Sequence, residues 1–214
     1  LSEKRPKHKE TERHKLGGQM YNFETVSSKE FESFTIKVHE PFAEFLMADE
    51  NEYAFKISLL DVVHFAGHAC PAMVGAFLIS QRATKELFPE TNICVRGQVS
   101  IEIPTSVTQG ATGPISNVFS MIFGAWEKSG FGGLQGQFVR RGLLKYDSQL
   151  VSPGAFRFRN LKTGNIVDVS YDPSSVKVPD DIASLPFQKV WRYKIATILK
   201  SPADYIQSHR ANSC

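Results

Sequence analysis

Hydrophobic and polar positions alternate without a break over 93–103. Ile93, Val95, Gly97, Val99, Ile101 and Ile103 face one way, and Cys94, Arg96, Gln98, Ser100 and Glu102 the other. Period two over that length predicts one strand with a single apolar face, a bulge at Gly97 and an end at Pro104. Ahead of it the spacing becomes helical. Ile57, Leu60, Val63 and His64 share one face, which predicts a helix over 56–66 stopped by Gly67. Pro71 suits the first position of a second helix with Cys70 as its cap residue. Val74, Phe77, Leu78, Ala83 and Leu87 form its apolar stripe, and Pro89 ends it.

Elsewhere, 32–39 reads as a short strand and 41–47 as a short helix opened by its proline. A further helix is predicted over 117–126, a glycine-rich joint over 130–136 and a strand over 137–145. Residues 155–169 read as a hairpin turning at Lys162, Thr163, Gly164 and Asn165. Val190, Trp191, Ile195, Ile198 and Leu199 give a last helix over 187–200 its apolar face, along which Lys194 would lay its stem. Helices and strands come in blocks rather than in strict βαβ alternation. The predicted fold class is therefore α+β, an antiparallel or mixed sheet packed with several helices.

Charge alters this picture at one end only. The first fifteen residues hold six Lys/Arg and three Glu, and beyond Lys15 there remain 19 basic and 19 acidic side chains. Residues 1–20 read as an extended basic tail or arm, and 21–214 as a single domain. A neutral body argues against a nucleic-acid partner. No run of eighteen apolar residues predicts a membrane span, and 1–20 has no apolar core of a signal peptide. With 214 residues and 42% hydrophobic content the chain can bury a full core. Cys70, Cys94 and Cys214 are odd in number and widely spaced, which argues against a disulfide framework and for the reducing cytoplasm. Walker loops, dinucleotide fingerprints, Gly-x-Ser-x-Gly elbows and the kinase motifs do not occur.

Candidate chemistry gathers at the predicted junction of two helices, where His64, His68 and Cys70 fall within seven residues. Two imidazoles and a thiol suit zinc or another divalent transition metal, and three protein ligands leave one position for water or substrate. His39 is a candidate fourth ligand. Plainer readings stand beside this one: His64 as a partner of its helix's negative end, Cys70 as a small buried hydrophobe. At a helix N-terminus Cys70 would face the positive end of the dipole, which favours the thiolate that binds metal or attacks an electrophile. Glu102 is a candidate general base toward metal-bound water, against the plainer reading of an exposed strand carboxylate. Arg140 and Arg141 read as a strand-edge basic pair, with a role toward anionic ligands as the lesser reading. Apolar residues over 119–126 are candidates for a dimer interface.

Phe65, Gly67, His68, Cys70, Pro71 and Gly75 resemble the signature of the FmdE-like family, named after a subunit of formylmethanofuran dehydrogenase, which reads Phe-His-Gly-His-x-Cys-Pro-Gly with a further glycine three residues on. Ala66 stands where that family has its first histidine, and Ala72 replaces a glycine. His64 lies two residues before Ala66, a shift of about 200° around a helix. A second family block, Gly-Cys-Thr-x-Gly-Lys-Gly-Asn, is echoed by Gly110, Thr112 and Asn117, with Ala111 and Ile115 in place of its cysteine and lysine. The similarity covers roughly 55–146. It implies an α+β core, a homodimer and a cleft holding zinc or another metal, with Thr112 and Asn117 facing a bound small-molecule ligand or substrate.

Three functions follow from the sequence. The first is a metal-binding protein using His64, His68 and Cys70. The second is a non-catalytic accessory or carrier protein for a metal or, as the lesser version, for haem. The third is thiol chemistry at Cys70 with His68 as the activating base.

Overall fold

The structure is a computed structural model that describes residues 26–211 in full and, before them, the backbone of β1 (Arg13–Leu16) and β2 (Gln19–Asn22). These two strands pair antiparallel, with Leu16 opposite Gln19, so part of the segment expected as an extended arm is a hairpin. His8 and Cys214 lie outside the described residues.

The three-stranded sheet is assembled from short pieces, each with its own cap. Helix α1 (Ser28–Ser33) begins where the Ser27 hydroxyl accepts from the Glu30 N–H, and it buries Phe31. Strand β3 (Thr35–His39) turns Ile36 and Val38 inward. Helix α2 (Pro41–Phe45) uses its proline in the first turn and Glu40 as cap. Helix α3 (Glu50–Tyr53) is capped by Asp49 and leads into β4 (Ala54–Ser58), which pairs antiparallel with β3. Helix α4 (Leu59–Ala66) then starts at a reciprocal capping box, in which Ser58 and Asp61 exchange hydrogen bonds, and stops at Gly67 with φ +76°. The helix expected over 56–66 is thus shorter at its start. Ile57 matched the helical spacing, yet it lies opposite Ile36 in the sheet.

Helix α5 (Pro71–Leu87) follows with Cys70 as its cap residue, as the spacing predicts. Beyond it come β5 (Ile93–Val95) and β6 (Val99–Glu102). The uninterrupted alternation over 93–103 predicts one strand, but Gly97 adopts φ +78° and splits it. The inward face changes there. Cys94 is buried before the turn, and Val99, Ile101 and Ile103 after it, so the buried positions pass from even to odd numbers. Strand β5 joins β3 in parallel, giving the order β4-β3-β5, and β6 enters a different sheet.

Helix α6 (Thr112–Phe123) starts ahead of the predicted 117 and ends at Gly124, with φ +62°. Phe119, Ile122, Phe123 and Ala125 are wholly buried, which removes the dimer face expected over 119–126. Only β7 (Leu144–Lys145) is a strand within 137–145; Phe138 has φ +58°, and Leu134 closes a tight bridge with Gln137. The predicted hairpin is present as β8 (Ala155–Asn160) and β9 (Ile166–Tyr171). Helices α7 (Asp180–Ala183) and α8 (Phe187–Lys200) precede β10 (Ile206–Ala211), a strand with no clear signal in the sequence. The second sheet has the order β10-β9-β8-β6-β7, antiparallel except for β6 with β7. Two mixed sheets and the helices between them make the fold α+β, as expected.

Helix α5 is the centre of the core. It is buried almost all round, from Met73 to Leu87, between α6, α8 and the β8–β9 hairpin. Ser80, polar in the middle of this surface, satisfies its hydroxyl on the Ala76 carbonyl at 2.8 Å. Both ends of the helix are tied to the hairpin. The Tyr171 hydroxyl donates to the Pro71 carbonyl at 2.9 Å, and Asn160 Nδ2 donates to the Leu87 carbonyl at 3.2 Å. The helix rises about 24 Å between those carbonyls, and a six-residue strand spans roughly 20 Å, so the two elements match in length.

Candidate functional site at the start of helix α5

A cleft of about 620 Å³ opens beside the first turns of α5, with Cys70, Ile115, Phe156, Tyr171, Trp191 and Lys194 among its walls. Volume and apolar lining are those of a small-molecule site. Each wall residue has a local cause. Cys70 is placed by the cap geometry of α5; it is 7% exposed and makes no cap hydrogen bond with its side chain. Tyr171 reaches across α5 because position 75 is glycine: a Cβ there would lie 2.2 Å from the tyrosine ring. Burial, and then the neighbouring Cys70 and Asp172, hold the Tyr171 phenol above its ordinary pKa, so its hydroxyl remains a donor. Trp191 and Lys194 are one turn apart on α8, and Lys194 Nζ donates to the Pro173 carbonyl at 3.2 Å.

The residues singled out from the sequence are not brought together. Cys70 is buried, whereas His64 and His68 are exposed. Val62 faces inward on α4, which leaves His64 on the solvent side, and the left-handed turn at Gly67 carries the chain past it. Among the described residues no group of three or more His, Cys, Asp or Glu is arranged to hold a metal ion. A three-ligand centre of His64, His68 and Cys70 does not fit this arrangement. His68 Nδ1 donates to the Ala66 carbonyl at 3.0 Å. His39, the candidate fourth ligand, pairs with Glu44 at 3.1 Å and sets its ring edge-on to Tyr53. His209 is exposed on β10.

Glu102 is drawn into the sheet rather than into the cleft. Register places Lys145, Glu102, Arg157, Asp168 and His209 side by side across all five strands, a row of alternating charge on the face opposite Ile101 and Phe158. Lys145 Nζ is 3.3 Å from Glu102 Oε1, and Arg157 holds Asp168 by two bonds of 2.7 Å. Thr112 is buried and shares a 2.8 Å hydrogen bond with Thr105, whose side of the chain lines the cleft. Asn117 is exposed on α6 and is not among the lining residues.

Sequence reasoning missed Phe156, Tyr171 and Trp191. One signal was present: Gly75 interrupts an otherwise strong helix, and a glycine there marks a close approach by another group. No family model and no curated protein matches this chain. Among the described residues no helix is long and apolar enough to cross a membrane.

Proposed function

We propose that the protein binds a small, mainly apolar molecule in the cleft above Cys70, with the thiol as the group that touches the reactive or coordinating end of that ligand. The observation carrying this reading is a single one: a buried sulfur at the head of a buried helix, forming part of the wall of a cleft of about 620 Å³. The Tyr171 hydroxyl already gives its proton to a backbone carbonyl and Lys194 gives one of its three to another, so the wall stays mainly apolar with one ammonium in it. The resemblance of Phe65 to Gly75 places the protein, in this reading, as a divergent FmdE-like member. With Cys70 and Cys94 both free, the cytoplasm is its compartment. A homodimer would use the exposed Phe45, Leu46 and Met47 together with Phe131.

The test is selective alkylation. In a Cys214→Ser chain, N-phenylmaleimide and N-ethylmaleimide compete for Cys70, with N-acetylcysteine as the reference thiol. The phenyl-to-ethyl rate ratio at Cys70 is expected to exceed the reference ratio at least fivefold, as read by peptide mass mapping. Equal ratios overturn the reading.

A second reading, in which His68 and Cys70 anchor a zinc or similar ion, draws support from the Nδ1 contact with the Ala66 carbonyl, a bond common in metal-ligating histidines, and requires His68 to turn from solvent toward Cys70. Cobalt titration checks it. Thiolate-to-cobalt absorption that disappears in Cys70→Ser and His68→Ala supports the reading, and uptake below a tenth of an equivalent removes it.

A further inference from the structure

Glu40 sits where α2, the β5–β6 turn and the segment before β7 meet. Its Oε1 accepts from the Phe42 N–H at 3.1 Å and from Arg140 Nη2, and its Oε2 faces Arg96 Nη1 at 3.2 Å. Both carboxylate oxygens are therefore engaged, and two guanidinium groups share one acid. The cluster lies deep in the fold, with Arg140 only 8% exposed. Among the described residues two donors are left over: Arg140 Nη1 and Arg96 Nε are buried without a hydrogen-bond partner. They converge on Gly124, where an added Cβ would stand 3.1 Å from Arg140 Nη1 and 3.3 Å from Arg96 Nε. Gly97 gives the same clearance from the other side, since a Cβ there would meet Arg140 Nη1 at 2.0 Å. Cys94, next to the cluster, adds no negative charge, because burial pushes its thiol up to about 12. One positive charge is unbalanced.

Arg96, the more exposed of the two arginines, also reaches open space. Arg96 forms one wall of a second cleft, of about 500 Å³, whose other walls include Phe55, Phe65, Met121 and Trp126. This cleft shares no lining residue with the one above Cys70. Asp61, also on its wall, is held at 2.7 Å by both the backbone N–H and the hydroxyl of Ser58, which leaves it charged but fixed within the capping box. Lys56 adds a second cation at the wall. Phe65 is 52% exposed although it is a large apolar ring, which is costly unless something covers it.

We propose that this second cleft binds a small aromatic anion, with its carboxylate or phosphate taken by the Arg96 guanidinium and its ring laid between Phe65 and Trp126. A planar guanidinium offers a fork suited to either oxyanion. The bound charge would complete a cluster that now holds two cations on one carboxylate. The aromatic walls supply stacking and edge contacts for a ring. The site is independent of the Cys70 cleft.

The chain provides the means of testing it, because its two tryptophans fall one in each cleft: Trp126 here and Trp191 above Cys70. In full-length Trp191→Phe protein, benzoate and phenyl phosphate are titrated against tryptophan fluorescence, with benzamide as the uncharged control. A saturable change is expected with at least one anion, at an affinity at least tenfold above that for benzamide. Arg96→Lys should weaken anion binding at least tenfold. Which anion binds more tightly identifies the oxyanion. No saturable response to either anion, or an equal response to benzamide, overturns the proposal even if the arginine variant fails to fold. A response carried instead by Trp191 in the Trp126→Phe protein also overturns it, and leaves the Cys70 reading to its own alkylation test.

Discussion

The two clefts are built from similar apolar walls and differ in where their polar capacity has gone. Above Cys70, Tyr171 donates its one proton to the Pro71 carbonyl and Lys194 gives one of its three to the Pro173 carbonyl, and the rest of the wall is mainly apolar, with Thr105 and Ser174 in it. Beside Trp126, Glu40 answers only part of what Arg96 and Arg140 offer, and buried N–H groups remain. A satisfied wall selects by shape and a deficient one by charge. Glycine controls both. Gly75 admits Tyr171 to the first site, and Gly97 with Gly124 makes room for the guanidinium of Arg140, which shares Glu40 with Arg96 of the second.

The largest way to break the contrast is Glu40→Gln. Leaving the buried Arg140 and the half-buried Arg96 without their acid should cost about 3–5 kcal/mol in urea unfolding; a loss under about 1 kcal/mol would mean that solvent already relieves the charge. Gly97→Ala comes next, at about 2 kcal/mol or more, because it combines an unfavourable φ with a collision. Gly136 shares the φ of +78° but has nothing within 4 Å of its would-be Cβ, so Gly136→Ala isolates the backbone part and should cost about 1 kcal/mol. Gly75→Ala, at about 1–3 kcal/mol, should displace Tyr171 and speed alkylation of Cys70; unchanged reactivity would separate the ring from the cleft.

Alkaline pH acts on the charged side of the comparison. The Cys94 thiol titrates near 9 when unfolded and is pushed up to about 12 in the fold by burial. Between those values the folded state holds the proton that the unfolded state has lost, so stability is complete below pH 9 and falls as pH rises toward 12. The loss is about 1 kcal/mol by pH 10. Cys94→Ala should flatten that part of the pH–stability curve, and an unaltered slope would show that the thiol is not its source. The smallest effect is expected from Tyr171→Phe, about 1 kcal/mol, measured by the same unfolding.

Much of the fold was legible because its signals are local. Pro71 and Pro89 bracket α5, Gly67 stops α4, and the turn at Lys162 to Asn165 forms the predicted hairpin. The errors share one cause, which is that a pattern states a period but not a partner. The alternation from Ile93 to Ile103 is regular, yet Gly97 sends its halves into separate sheets, and only the approach of Arg140 explains why. Ile57 satisfies a helical face and is taken by Ile36 across the sheet. Glu102 carries the right chemistry for a base, but neighbours more than forty residues away in the chain recruit it into the charge row. Proximity in sequence also overstated the His64, His68 and Cys70 cluster. One turn of helix and a left-handed glycine suffice to leave the imidazoles at the surface and the cysteine buried at the wall of a cleft.

The pair of bonds that fastens α5 at Pro71 and at Leu87 has a mechanical consequence. Both anchors, Tyr171 and Asn160, belong to one hairpin, so helix and hairpin behave as a single beam and the helix cannot ratchet along its axis. Any widening of the entrance to Cys70 is then left to the walls outside that beam, Trp191 on α8 and Ile115 on α6.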